Sequence, residues 1–268
     1  MITAWILYAI VVGTLLAAAG VALDTLLRTL GRPSRWVWVA TILVSAAWPL
    51  GHWAWESRPM SPPPVVASPA PASTALEAVP AVLPLQTIRV EVPRESILRR
   101  LDGPVLTAWA LAAGLLLLFF AVALLRARRM AAGWRRGTVG GQAVLFSDEW
   151  GPAVVGLIRP RIVLPSWCEE MDAASLRFIL DHEVEHLRVG DLKLVVMAGI
   201  VPVLFPLHLP LWWQLARLRA AVEADCDARV LGRNPGQTRP YLHLLLDVGE
   251  RASPAPAFAA MLSEPYAT

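Results

Sequence analysis

Three long apolar runs constrain the fold of this chain more than any other feature of its sequence. They cover Ile2–Leu23, Trp36–Trp55 and Pro104–Leu125. Each run has about the 20 residues that an α-helix needs to cross the hydrocarbon core of a bilayer. In addition, only 17% of the residues are charged, whereas soluble domains average about 25%. The sequence therefore predicts an α-helical integral membrane protein with three membrane-spanning helices.

Basic residues next to these runs predict how the helices are oriented. Arginines follow the first run at positions 28, 32 and 35, and five more follow the third run at 126–136. Positive charge close to the end of a span stays in the cytoplasm. We therefore expect 1–55 to hold two helices joined by a cytoplasmic loop, and the Pro/Ala-rich loop 56–103 to be extracytoplasmic. Because the arginines cluster beside apolar runs, topology explains them better than nucleic-acid binding does.

Residues 126–250 are predicted to form a cytoplasmic α+β domain against the membrane, followed by an Ala/Pro-rich tail at 251–268. Short β-rich runs predict a small hairpin or sheet; they lie at 142–146, 153–158 and 161–164, with a weaker run at 88–92. Since Pro160 precedes the last strand, we expect that strand to lie at the sheet edge, where it could pair with an extended substrate.

The sequence His182-Glu183-Val184-Glu185-His186 lies in a predicted amphipathic helix. Asp172 can cap this helix, which is predicted to begin at Ala173 and to end near Gly190. Positions i and i+4 share one helix face, so both imidazoles can bind one metal ion, and Glu183 can reach a water on that ion. A chance occurrence on a surface helix is the weaker interpretation, because the chain has only five histidines in 268 residues.

A catalytic zinc site needs three protein ligands, and the third is predicted to be Glu223. It lies on a further helix, predicted at 214–231. The alternative for Glu223 is a surface carboxylate beside Arg217 and Arg219. Asp227 lies one turn later on the same side, and is predicted to accept a hydrogen bond from a ligand histidine and so to fix its orientation.

Other polar residues near the two motifs are predicted to be structural. Asp225 points away from the ligand face, and Glu185 is interpreted as a solvated or structural carboxylate. Arg239, Tyr241 and His243 are candidates by position for stabilising an oxyanion, but each is interpreted as structural.

The apolar segment between the motifs cannot be a simple fourth span if Glu223 is a ligand. One complete crossing would put Glu223 on the opposite side of the bilayer from the two histidines. The segment 192–213 contains prolines at positions 202, 206 and 210, which interrupt helices, and arms of about 10 residues are too short to span. We therefore predict a re-entrant or interfacial hairpin at 192–213.

Three segments together resemble the BlaR/MecR-type membrane zinc metallopeptidases. They are Gly156–Pro165, His182–Leu192 and Glu223–Leu231. The resemblance implies a zincin-like fold and a zinc endopeptidase of the gluzincin type. It implies Zn²⁺ as the cofactor, with His182, His186 and Glu223 as its ligands and Glu183 as the catalytic base.

The chain departs from this family in two places. The family usually has Asn-Pro where this chain reads Phe205–Pro210, which leaves the detail of that turn open. The family's antibiotic sensors also carry a penicillin-binding domain, whose S-x-x-K motif this sequence does not contain. The resemblance therefore does not extend to β-lactam sensing, and we expect the chain to be either a short member or a fragment of a longer protein.

The resemblance also implies a location and partners. We expect a multi-pass protein of the bacterial inner membrane that contacts the lipid bilayer and cleaves a protein substrate, such as a cytoplasmic transcriptional repressor, in transmembrane signalling. The sequence leaves monomer and homodimer open. One alternative is a non-proteolytic transmembrane receptor, which would not need Glu183. Another is a quality-control protease resembling the HtpX and CAAX prenyl protease type, for which paired full-length spans between the motifs are expected.

Overall fold

The computed structural model describes residues 2–56, 97–148 and 150–251. The helices are α1 (Ile2–Thr29), α2 (Arg35–Glu56), α3 (Ile97–Ala132), α4 (Ala173–Val189), α5 (Asp191–Leu204), α6 (Leu209–Arg233) and α7 (Thr238–Arg251). The strands are β1 (Arg135–Val139), β2 (Gln142–Ser147), β3 (Ala153–Val155) and β4 (Arg161–Pro165). The predicted strand at 88–92, most of the predicted loop and nearly all of the predicted tail lie outside the described residues.

The first three helices cover the three apolar runs. Of these, α1 and α3 are each long and apolar enough to cross a membrane, and α2 covers the second predicted span. Helix α3 begins at Ile97 rather than Pro104 and ends at Ala132 rather than Leu125. Residues 97–103 therefore belong to this helix and not to the predicted loop.

Helices α5 and α6 form a helical hairpin, with the turn between Leu204 and Leu209. The prolines interrupt this segment less than predicted. Pro202 lies inside α5, and Pro210 lies in the first turn of α6, where a helix does not need its N–H group. Helix α6 consequently starts before the predicted 214 and continues to Arg233.

The tip of the hairpin packs against α1. The Nε2 atom of His208 donates a hydrogen bond to the carbonyl oxygen of Ala9, at 2.9 Å. Gly13 leaves room for this contact, because a Cβ there would lie only 2.3 Å from His208 Cε1. From this tip α6 follows α1 towards its C-terminal end, where Arg217 and Asp24 form an ion pair at 3.1 Å.

Both ends of the hairpin lie beside the N-terminus of α2. Asp191, the first residue of α5, accepts a hydrogen bond from the Arg35 side chain at 2.8 Å. Asp225, near the end of α6, accepts one from the backbone N–H of Ser34 at 3.1 Å. The chain therefore enters and leaves the hairpin at the same end of the helix bundle.

The four strands form one mixed sheet in the order β1-β2-β4-β3. The β2–β4 pair is parallel and the outer pairs are antiparallel. Since β4 lies between two neighbours, the prediction that it is an edge strand is wrong. Pro160 precedes the strand and Pro165 is its last residue, so neither removes a donor from the middle of the ladder. The edges are β3 and β1, and β1 was not predicted.

The sheet supports the helix that carries both histidines. A hydrophobic core joins the sheet to α4 and α7; its buried members include Val144, Phe146, Ile162, Leu164, Ile179, Leu180, Leu244 and Val248. Ile179 and Leu180 come from the turn of α4 just before His182. Their packing in this core therefore fixes the position of the His182 backbone.

Candidate metal centre

Local signals set the limits of α4, as predicted. The Asp172 carboxylate accepts hydrogen bonds from the backbone N–H groups of Ala174 and Ser175, both at 3.0 Å. Gly190 ends the helix with a φ of 77°, a left-handed conformation that glycine adopts without a steric penalty. The two histidines of the motif lie in the last turns before Gly190 and are buried.

Two imidazoles and one carboxylate converge at the end of α4. The Nε2 atoms of His182 and His186 are 3.0 Å apart. The Glu223 carboxylate reaches both histidines, with one oxygen 3.4 Å from His182 Nε2 and the other 3.4 Å from His186 Nε2. The structure therefore brings together the three residues that the sequence predicted as ligands.

This donor set fits a zinc ion. Zinc–ligand bonds of about 2.0–2.1 Å in a tetrahedral arrangement put neighbouring donor atoms about 3.3 Å apart, close to the separations found here. Oε1 of Glu223 is buried and has no hydrogen-bond partner among the described residues. A cation between the three groups would satisfy this oxygen, which is otherwise costly to bury.

Cys226 offers a second way to complete a ligand set with the same histidines. Its sulfur and one nitrogen of each of His182 and His186 all lie within 4.8 Å of one another. The Sγ atom is 3.8 Å from His182 Nδ1, and the thiol donates to the His182 carbonyl oxygen at 3.6 Å. Cys226 therefore lies beside the Nδ1 edge of the His182 ring, whereas Glu223 faces Nε2.

Hydrogen bonds behind the histidines fix their orientation. Nδ1 of His186 donates to Asp191 at 3.0 Å. Tyr241 donates its hydroxyl hydrogen to Asp227 at 2.7 Å, so its oxygen, 2.8 Å from His182 Nδ1, accepts from that nitrogen. In the neutral form of both rings Nδ1 then carries the hydrogen, and the lone pair of Nε2 is left for a metal. Asp227 also lies 3.3 Å from His182 Nδ1, on the side predicted for it.

Comparison with known proteins bears on what this centre does. Residues 5–265 match the family model described as BlaR1 peptidase M56. The chain belongs to this family. The resemblance found in the sequence is confirmed, and the match extends over both the apolar helices and the candidate centre. No curated protein matches the chain.

Burial and charge tune the acids of this M56 peptidase. Burial raises the pKa of Glu183, although the two histidines act in the opposite direction. Burial alone would also raise the pKa of Glu223, but the neighbouring imidazoles of His182 and His186 outweigh it and lower that pKa. Glu183 is thus the more basic carboxylate of the pair, and Glu223 is held as an anion.

The histidines hold protons strongly when no metal competes for them. Burial lowers the pKa of His186, but its interactions with Asp191, Cys226 and Glu223 outweigh this effect and raise it to about 12. The pKa of His182 is likewise raised, because hydrogen bonds to Asp227, Cys226 and Glu223 outweigh burial. A metal ion must therefore displace these protons in order to bind.

Sequence reasoning missed or misread several residues of this M56 peptidase. Asp191 was not assigned a role, although it lies five positions after His186 at the start of the next helix. Tyr241 was considered but interpreted as structural. Glu185 is fully buried and forms ion pairs with Arg188 and Arg229, so the solvated interpretation is wrong and the structural one is right.

Proposed function

We propose that this M56 peptidase is a membrane-embedded zinc endopeptidase of the gluzincin type. The observation that carries the proposal is the convergence of the two Nε2 atoms and the Glu223 carboxylate within 3.4 Å of one another. These three groups would hold the ion. A bound zinc ion would acidify water and polarise a peptide carbonyl.

Glu183 performs the proton transfers in this proposal. It is adjacent to His182 in sequence, buried at 3% exposure, and its pKa is raised by burial. A carboxylate of raised pKa is a better acceptor for the proton of the attacking water. The same group then donates that proton to the leaving amine. His182 and His186 are held throughout by Tyr241 and Asp191.

We assign the third ligand to Glu223 rather than to Cys226. The carboxylate faces the Nε2 atoms of both histidines, and its buried Oε1 needs a partner. Cys226 instead contacts His182 at Nδ1 and at its backbone carbonyl. Its role in this proposal is to pack behind His182.

We further propose that the centre acts at the cytoplasmic face of a bacterial inner membrane. The apolar helices α1 and α3 support membrane association. The α5–α6 hairpin supports re-entry, because it begins at Asp191 and returns at Asp225 beside the same end of α2. That end of α2 adjoins the segment 28–35, whose arginines predict a cytoplasmic position.

The proposed substrate is a protein, such as a cytoplasmic transcriptional repressor, whose cleavage relays a transmembrane signal. Because β4 is an interior strand, it cannot pair with this substrate. Strand β3 is the sheet edge that packs beside α4, and we propose that an extended peptide pairs with it.

Two variants of the full-length protein in detergent test the proposal. Glu183→Gln should keep its zinc and lose cleavage of casein, an unstructured test substrate. Glu223→Gln should lose both its zinc and the cleavage of casein. Glu170→Gln is the matched control, since Glu170 is exposed in the short helix before α4. Undiminished cleavage by Glu183→Gln, or full zinc content in Glu223→Gln, refutes the assignment.

A further inference from the structure

A buried carboxylate connects the candidate metal centre to the start of α2. Asp191 is 3% exposed. One of its oxygens accepts the hydrogen bond from His186 Nδ1 at 3.0 Å. The other accepts a hydrogen bond from a terminal nitrogen of Arg35 at 2.8 Å. Arg35 is the first residue of α2, so a single side chain separates this helix from a proposed zinc ligand.

A second carboxylate fixes the same end of α2. Asp225 lies on α6, two positions after Glu223, and accepts from the backbone N–H groups of Ser34 and Arg35 at 3.1 and 3.3 Å. The first N–H groups of a helix have no partner within the helix and need an outside acceptor. Asp225 provides it from another helix. The N-terminus of α2 is therefore held by both helices of the hairpin.

Arg35 connects α2 to the proposed zinc ligand His186 through Asp191. Its side chain is 11% exposed, and its Nε lies 3.9 Å from Asp225, so its charge is shared between two buried carboxylates. Among the described residues, Arg229 also pairs with Asp191, at 3.3 Å, but Arg229 binds Glu185 as well. The Arg35 bond is the shorter of the two to Asp191, and it alone involves the membrane-spanning part of the chain.

We propose that Arg35 is a positioning residue that orients His186 through Asp191, and that the metal centre is therefore sensitive to the position of α2. The inference rests on the proposed zinc site. A carboxylate that accepts from a ligand histidine sets the ring orientation and its basicity. Arg35 fixes the direction of that carboxylate through its hydrogen bond. A shift of α2 along its axis would lengthen the hydrogen bond between Arg35 and Asp191, and the His186 ring would then be less firmly oriented.

Metal affinity of the full-length protein in detergent tests the role of Arg35 without relying on catalysis. Zinc affinity is measured by competition with a chromophoric chelator, and ligand geometry by the visible spectrum of the Co²⁺-substituted protein. Arg35→Met should weaken zinc binding by about tenfold or more, as is usual when the group behind a ligand is lost, and should change the cobalt spectrum. Arg35→Lys should restore much of the affinity, because one donor and the charge are retained.

Two further variants decide whether Arg35 acts through Asp191. Arg32→Met is the matched control, because Arg32 is an exposed arginine in the turn just before α2 and its loss changes the net charge equally. It should bind zinc as the wild type does. In an Asp191→Asn background, Arg35→Met should cause little additional loss. If Arg35→Met does not fold, the same cycle is run with Arg35→Gln, which removes the charge and keeps a polar side chain.

The outcomes separate this inference from the proposed peptidase function. Wild-type affinity and spectrum in Arg35→Met, or an undiminished effect of that substitution in the Asp191→Asn background, overturns the role of Arg35. A wild-type protein that binds zinc but cleaves nothing overturns the peptidase proposal and leaves the Arg35 result intact. A wild-type protein that binds neither zinc nor cobalt overturns both.

Discussion

The hydroxyl oxygen of Tyr241 lies 2.8 Å from Nδ1 of His182. Tyr241 comes from α7 and His182 from α4, and the tyrosine donates its own hydrogen to Asp227. This direction of donation requires a hydrogen on His182 Nδ1, so in the neutral imidazole Nε2, which faces Glu223, carries no hydrogen. Tyr241 therefore selects the tautomer that a metal ligand needs.

Tyr241→Phe should weaken zinc binding by about tenfold or more without unfolding the protein. The phenyl ring retains the packing against Phe178, whose ring centroid is 5.7 Å away, and only the hydroxyl is lost. Chelator competition measures the affinity. Tyr8→Phe is the control, because Tyr8 lies on α1 and its hydroxyl contacts Trp48. Equal affinity in Tyr241→Phe and wild type would contradict the role of the hydroxyl.

Zinc binding should release protons and weaken as the pH falls. Burial lowers the pKa of His186, but its interactions with Asp191, Cys226 and Glu223 outweigh burial and raise that pKa to about 12 when no metal is bound. At neutral pH zinc must therefore displace a proton, and a lower pH favours the competing proton. We expect about one proton or more to be released per zinc. Calorimetry in buffers of different ionisation enthalpy measures this number, and a binding heat that is independent of the buffer would contradict it.

Local sequence signals predicted the parts of the centre that depend on a few neighbouring residues. Asp172 and Gly190 set the limits of α4, and the spacing of His182 and His186 put both on one face. Each of these features is decided within a turn or two of helix. The same holds for Glu223, whose side of α6 follows from helical periodicity.

Features that depend on distant segments were not predictable in this way. Tyr241 is 59 positions from His182, and Arg35 is 156 positions from Asp191, so no local pattern shows that they meet. The prediction that β4 is an edge strand was wrong for the same reason. Strand order comes from pairing between separate segments, and Pro160, which suggested an edge, lies just outside the strand.

Gly13→Ala should destabilise the packing of the hairpin tip against α1. The added Cβ would lie 2.3 Å from His208 Cε1 and 2.9 Å from its Nε2, and that ring is fixed by its bond to Ala9. Overpacking of this kind costs about 1–3 kcal/mol, so the thermal midpoint should fall. Gly114→Ala is the control, because a Cβ at Gly114 has nothing within 4 Å. A midpoint that does not change in Gly13→Ala would show that the tip does not pack here.

The two ends of the α5–α6 hairpin should lie on one side of the membrane. Lys193 and Gln237 are exposed and follow the start of α5 and the end of α6, whereas both native cysteines are buried. In intact cells, an impermeant maleimide should label neither Lys193→Cys nor Gln237→Cys, and permeabilisation should expose both. Ser61→Cys, in the predicted extracytoplasmic loop, should be labelled in intact cells. Labelling of only one hairpin position before permeabilisation would mean that the segment crosses the bilayer, and Glu223 could not then share a metal with His182 and His186.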